Sequence, residues 1–301
     1  MTHGTETVGF DTTHTRQRLG AFIELTKPRL ASMVLVTTTV GFYLASWMSI
    51  DYALLFHTLL GTGLAAGGTL ALNQLSEKDA DSVMERTKKR PLPDGRLQPL
   101  GALAFGATLT ATGLLYLLIV VNPASAALTA LITVSYLFAY TPLKKTSVLC
   151  GIVGAFPGAL PPVIGWAAVD PNLGIKAALL FSIMFLWQMP HSLAIAWLYR
   201  EDYTRAGFQL LPVIEPDGQS TGRQVVTYSL ALLVVSLLPT QIGMAGNRYF
   251  VIAFGLGCML LWYSVQLARL RSTHSARQLM FASLVYLPIL LCGMALDKLH
   301  P

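Results

Sequence analysis

Asn73, Glu77 and Asp81 recur every four residues at the end of a long apolar run. On a helix this spacing keeps side chains on one face, with a drift of about 40° per step. One amide oxygen and two carboxylates form a hard-oxygen set suited to Mg²⁺, which takes one or two protein carboxylates and completes its shell with water and substrate phosphates. Asp79 points away from that face on a regular helix and would join the set only if the helix frayed. Just downstream, Arg86 and Arg90 lie one turn apart if the helix persists, and guanidinium forks grip phosphate oxygens in pairs. A basic membrane-flanking loop would account for Arg86, Lys88, Lys89 and Arg90 without any ligand. It does not account for aligned acids, which contribute little to topology. Ionisable groups at membrane depth are costly and are therefore functional candidates.

Two further clusters carry polar chemistry. In Tyr140-Thr-Pro142-Leu-Lys144-Lys145, Pro142 is expected to break its helix, free carbonyls and place Lys144 at the mouth. Tyr140 and Lys144 read as substrate contacts. The glycines and prolines from Gly151 to Gly165 imply either close helix packing or a broken helix beside a cavity. The third cluster runs from Trp187-Gln188-Met-Pro190-His191 to Tyr199, Glu201 and Asp202. A lone histidine is more often a packing residue than a ligand, but Gln188 and Pro190 interrupt the same turn and favour a role for His191. Asp202 is the candidate ligand for a second Mg²⁺, although beside Arg200 and Arg205 it could equally be an interface charge. No phosphate-binding glycine loop, HExxH or GxSxG pattern occurs. Cys150, Cys258 and Cys292 lack metal-ligand spacing and read as small buried hydrophobes.

These residues need rigid elements in an apolar medium. Hydrophobic residues make up 53% of the chain and charged ones 12%, with a mean hydropathy of +0.56. Apolar blocks long enough to cross about 30 Å of hydrocarbon fall at 29–50, 53–75, 98–120, 124–141, 148–168, 174–198, 224–243, 249–268 and 279–296. Their length, without inside/outside alternation, excludes a barrel, so the expected fold is all-α: nine transmembrane helices around a central cavity. The net charge of +6 does not indicate nucleic acid. With alternating sides, all but Lys176, Arg248 and Lys298 of the 21 lysines and arginines fall on one side. The positive-inside rule makes that side cytoplasmic, with the N-terminus inside and the C-terminus outside. The longer polar insertions share this side, so the cavity is expected to open there. Residues 1–22 read as a mobile cytoplasmic tail and 23–301 as a single membrane domain. The first 20 residues lack the apolar core of a signal peptide, and Glu6 and Asp11 argue against a mitochondrial transit peptide.

The motifs together resemble the UbiA superfamily of intramembrane prenyltransferases, whose first acidic motif usually reads NxxxDxxxD. Met84-x-Arg86-Thr87-x-x-Arg90-Pro91, Thr26-Lys27-Pro28-Arg29, Tyr140 to Lys145, Gly158 to Trp166 and Trp187 to Tyr203 are similar to its heme-farnesylating branch. The motif-level likeness covers about residues 24–215, and hydropathy alone extends it to 297. It implies Mg²⁺-dependent transfer of farnesyl from farnesyl diphosphate to a vinyl group of heme B, with addition of water, in a bacterial inner membrane. Under it, Asn73, Glu77, Asp81, Lys144 and His191 are the candidate catalytic residues. Lys27, Arg29, Arg86, Arg90, Tyr140, Trp187, Tyr199 and Asp202 are candidate contacts to diphosphate or heme, and Asn73, Glu77, Asp81 and Asp202 the candidate metal ligands. Beyond the bilayer and these substrates, a heme A synthase or an oxidase assembly factor is the implied protein partner. Glu77 departs from the usual Asp, and the second acidic motif shrinks to Glu201-Asp202, which leaves one or two metal ions open. A quinone-precursor or other aromatic acceptor is the nearest alternative. A transporter is a remote one, since coupling residues usually lie near the bilayer midplane.

Overall fold

The computed structural model describes residues 12–47 and 49–299. Helix α1 (Thr12–Leu25) precedes the first span, α2 (Pro28–Ala45). Helix α3 (Tyr52–Ser76) passes through Glu77 into the short α4 (Lys78–Val83). Helix α5 (Pro99–Tyr116) ends in a π-helical turn, Leu117–Val121. Helix α6 (Pro123–Val134) runs through a second π-helical stretch, Ser135–Tyr140, into α7 (Thr141–Leu143). The fifth span is α8 (Cys150–Ala159) and α9 (Pro161–Val169), separated at Leu160. Helix α10 (Ile175–Leu198) is followed by two short helices, α11 (Arg200–Arg205) and α12 (Leu211–Ile214). Helices α13 (Gln219–Gln241), α14 (Asn247–Leu270) and α15 (Thr273–Leu296) complete the bundle.

Among the described residues, nine helical segments are long and apolar enough to cross a membrane, and each coincides with an expected span. Their ends differ where polar residues set the boundary. Helix α15 starts at Thr273 rather than 279, because Ser272 and Ser275 form a reciprocal capping box. Helix α13 starts at Gln219, after Gly218 turns the chain at a φ of 70°. The tail expected over 1–22 also differs. Its residues from Thr12 onward are helix, with Ala21 and Leu25 buried against Ala71, Leu92, Leu97 and Ala102. Residues 1–11 lie outside the described residues.

Small residues let the helices approach closely. Helix α2 packs along α9, where a Cβ on Gly41 would overlap the Pro162 carbonyl and one on Gly165 the Thr38 carbonyl. Helix α3 meets α5 in the same way through Gly68 and Gly113. Lipid offers no hydrophobic drive between helices, so such backbone proximity supplies the packing. Large apolar side chains such as Ile119, Phe138, Val251 and Trp262 stand outward. On a water-soluble surface they would form an aggregation-prone belt, whereas here they face the hydrocarbon. Cys150 is buried as expected, but Cys258 and Cys292 belong to this outward surface.

Candidate active site

Helix α3 does not run smoothly through the acidic motif. Glu77 leaves helical geometry (φ −99°, ψ 6°), yet its N–H still bonds to the Asn73 carbonyl at 3.0 Å, and the Asp81 N–H bonds to the Glu77 carbonyl at 2.8 Å. The four-residue alignment therefore survives the kink. Asn73, Glu77 and Asp81 are all buried, while Asp79 lies on the exposed side.

Each of the three is met by a cation. Lys144 Nζ lies 2.5 Å from Glu77 Oε1, Arg90 Nη1 lies 2.6 Å from Asp81 Oδ2, and Lys27 Nζ donates to Asn73 Oδ1 at 2.9 Å. The Asn73 amide donates in turn to Thr141 Oγ at 3.1 Å, which ties α3 to α7. Lys27 arrives by an unusual route, since its φ of 47° is left-handed and only Arg271 matches it among described non-glycine residues. The conformation bridges α1 and α2, where Pro28 opens α2 and disfavours the right-handed helical region for the residue before it. Gln74 Nε2 fixes the other flank by donating to the Leu25 carbonyl at 2.9 Å.

The three acidic-face residues and their cations Lys27, Arg90 and Lys144 line a cavity of about 190 Å³ together with Met84, Arg86, Tyr136, Tyr140, Tyr203, Phe208 and Leu210. Four cationic side chains there face two carboxylates, an excess of positive charge in a partly dry site that calls for an anion. Burial pushes the Glu77 carboxyl up, but the charge and hydrogen bond of Lys144 outweigh it and hold the group below its usual range. Burial likewise depresses Lys144, and Tyr140, Glu77 and Tyr136 more than restore it, so its ammonium is held raised. Lys27 goes the other way: burial, then Arg90, lower it to about 7 against the pull of Glu77.

The donor set fits a hard divalent ion. Asp81 Oδ1 is buried without a hydrogen-bond partner, an unsatisfied carboxylate oxygen beside the Glu77 carboxylate and the Asn73 amide. Among the described residues no three His, Cys, Asp or Glu side chains gather into a self-sufficient centre. That arrangement matches an ion whose remaining ligands come from phosphate and water.

The helix does not persist through Arg86 and Arg90, because α4 ends at Val83 and Met84 is extended. Turns still deliver both guanidinium groups to the cavity, with Thr87 Oγ donating to the Asp81 carbonyl at 3.0 Å. The helix that carries Pro142 ends one residue later, at Leu143, which leaves Lys144 at its mouth as expected. The chain reaches the proline through the π-helical stretch, where Thr141 Oγ donates to the Tyr136 carbonyl at 2.8 Å. Tyr140 is braced under Lys144, its ring centroid 4.4 Å from Nζ, in space that any Cβ on Gly154 would occupy.

Other expected residues stand apart. Asp202 is not part of the lining, and its oxygens are taken by Arg205 and by the backbone N–H groups of Glu85 and Arg86. Tyr199 lies beneath Arg86 at 4.7 Å, while Arg29 is exposed and does not line the cavity. Trp187 and His191 stack on each other at 4.9 Å and both bond to Ser283 of α15. Gln188 bonds to the Ala155 and Met184 carbonyls, in space left open by Gly158. Tyr136 is a lining residue that motif reading missed. Its signal was present, because Tyr136, Tyr140 and Lys144 repeat the four-residue spacing of the acidic ladder opposite.

Comparison with known proteins bears on the family and the fold. Residues 34–285 match the model of the UbiA prenyltransferase family. A protein of Solibacter usitatus named protoheme IX farnesyltransferase is 46% identical, over 92% of this chain and 98% of its own length. A protein of the same name from Myxococcus xanthus is 44% identical, over 92% and 94%. Among solved structures, a digeranylgeranylglyceryl phosphate synthase superposes with a TM-score of 0.78 at 16% identity, covering 93% of this chain and 98% of that one. A UbiA homologue from Archaeoglobus fulgidus bound to GPP and Mg²⁺ superposes at 0.62 and 12% identity, covering 91% and 99%. At these identities the superpositions speak for the fold.

Proposed function

The chain belongs to the UbiA prenyltransferase family and groups with the protoheme IX farnesyltransferases, and from that premise we infer that it farnesylates heme B to heme O. The observation that carries the site assignment is the cavity itself, where Asn73, Glu77 and Asp81 meet an excess of Lys and Arg. In the reaction, the allylic C–O bond of farnesyl diphosphate breaks and its electron pair leaves with diphosphate. The terminal vinyl carbon of heme B then attacks the allylic cation. Water adds to the carbon next to the porphyrin and releases a proton, which leaves a hydroxyethylfarnesyl group.

Asn73, Glu77 and Asp81 would hold Mg²⁺, which when bound supplies Lewis-acid neutralisation of the diphosphate. Arg86, Arg90 and Lys144 stabilise the negative charge that develops as diphosphate departs, most effectively where water is scarce. Arg90 and Lys144 now neutralise the two carboxylates, so they are poised to exchange a carboxylate for a phosphate partner. The surrounding apolar helices keep water from the allylic cation. His191 is assigned to the acceptor side. The Ser283 hydroxyl lies 2.7 Å from both the Met280 carbonyl and His191 Nδ1, and when it donates to the carbonyl it accepts from Nδ1–H. That tautomer leaves the Nε2 lone pair free to orient heme or the attacking water. The charge distribution supports a cavity facing the cytoplasm in a bacterial inner membrane.

The decisive experiment incubates purified protein with farnesyl diphosphate, heme B and Mg²⁺ and identifies the porphyrin product by mass spectrometry. Asp81→Ala should lose product formation by a factor on the order of a hundred or more, and chelation of Mg²⁺ should do the same. Near-normal turnover by Asp81→Ala would overturn the assignment of the acidic face.

A further inference from the structure

Asp202 carries chemistry that the cavity does not use directly. Although buried, it accepts from the Glu85 N–H at 3.3 Å and the Arg86 N–H at 3.4 Å, one on each oxygen, and pairs with Arg205. The same segment also reaches the far end of Arg86. The guanidinium carbon lies 4.7 Å from the Tyr199 ring centroid and 5.5 Å from that of Tyr203, and Nη2 donates to the Tyr203 hydroxyl at 3.0 Å. Ala80 and Met84 pack with Phe208, which seats α4 against the chain that follows α11.

From this geometry we propose that the segment from Tyr199 to Arg205 is a clamp on Arg86, and that Asp202 is a positioning residue rather than a metal ligand. The proposal rests on the reading that the cavity receives a diphosphate. A flexible arginine at a cavity rim must be ordered before it can meet a leaving group, and ordering it in advance removes that cost from the reaction. One carboxylate holds the backbone of Arg86, while two aromatic faces and a hydroxyl hold its fork. A carboxylate already engaged by two N–H groups and a guanidinium is poorly placed to serve a metal as well. Arg86 then supplies at this side the positive charge that a second metal ion would otherwise bring.

The test is a double-mutant cycle on the full-length protein in detergent, reading kcat and KM for farnesyl diphosphate separately. Arg86→Gln should lower kcat by a factor on the order of a hundred. Asp202→Asn should lower it about tenfold, the usual cost of losing a residue that orients a reacting group. Combined, they should be no worse than Arg86→Gln alone. Tyr203→Phe, which leaves Asp202 intact, should show a smaller loss that also disappears in the Arg86→Gln background, and it serves if Asp202→Asn fails to fold. A second arm uses Mn²⁺ and inorganic pyrophosphate. Asp202→Asn should leave Mn²⁺ binding, read by electron paramagnetic resonance, unchanged and weaken pyrophosphate binding only when Arg86 is present. Multiplying losses in the cycle, or weakened Mn²⁺ binding in Asp202→Asn, would overturn the clamp. If wild type made no farnesylated heme, the proposed function would fail, and the pyrophosphate arm would still decide the clamp.

Discussion

Lys27 is the residue whose environment is most at odds with its chemistry. Burial and Arg90 hold its ammonium at about 7, and its left-handed backbone is a conformation that costs a non-glycine residue about 1–2 kcal/mol. Such a conformation persists where its surroundings over-determine it, here Pro28 after it and the bond from its ammonium to Asn73. An anion entering the cavity must favour the charged form and raise this pKa. At about pH 8, where free Lys27 is mostly neutral, pyrophosphate binding should therefore take up a proton, and affinity should fall as pH rises above about 7. Calorimetry in buffers of different ionisation enthalpy reads the uptake, and Lys27→Met should lack it; equal uptake in that variant would remove Lys27 from the linkage. The acidic ladder was legible as a motif because four-residue spacing survives a kinked helix. Lys27 was legible only through resemblance, since no spacing rule connects it to Asn73, 46 residues away. Of the partners of Asp202, Arg205 was legible at three-residue spacing, whereas the Glu85 and Arg86 N–H groups were not, because their position depends on tertiary packing.

At the scale of elements, hydropathy located all nine spans but said little about how they deviate from regular helix. The π-helical turns at 117–121 and 135–140 have no compositional signature, and the second runs directly into the short helix that carries Pro142. The glycines were ambiguous between packing and cavity lining, and both uses occur. Gly158 and Gly154 make room for Gln188 and Tyr140, whereas Gly41 and Gly165 bring α2 and α9 into backbone contact. The second pair yields the sharper test. A methyl group at Gly41 or Gly165 would meet a carbonyl oxygen that belongs to helix backbone and cannot swing aside. Gly41→Ala and Gly165→Ala should each destabilise by about 1–3 kcal/mol or more, seen as a lower Tm in detergent. Gly151→Ala and Gly255→Ala, where a Cβ meets nothing within 4 Å, should not lower it. Equal Tm values across the four variants would mean that the α2–α9 crossing yields easily.

For the molecule as a whole, charge is divided between two ends with different work. The end rich in Lys and Arg holds the cavity, and its cations meet carboxylates, aromatic faces and an expected phosphate. At the opposite end two of the few cations act on the fold. Lys298 Nζ donates to the Tyr43 and Ser46 carbonyls at 2.8 and 2.5 Å, capping α2 from the far terminus of the chain, and Lys176 lies 4.3 Å from the Trp47 ring centroid. Asp297 completes the clasp by accepting from the Tyr249 N–H at 2.8 Å, and Ala245 bridges to Lys298. The clasp joins the first and last spans, whose own packing is slight beside that of α2 on α9. Lys298→Met should therefore lower Tm by removing a charged donor from two helix-end carbonyls, at a cost of about 1.5–3 kcal/mol. Orientation should not change, because the basic residues at the cavity end outnumber those at the clasp end. Reporter fusions at the C-terminus should read external for wild type and for Lys298→Met alike. A cytoplasmic C-terminus in wild type would invert the assigned topology and turn the cavity away from a cytoplasmic supply of diphosphate substrate.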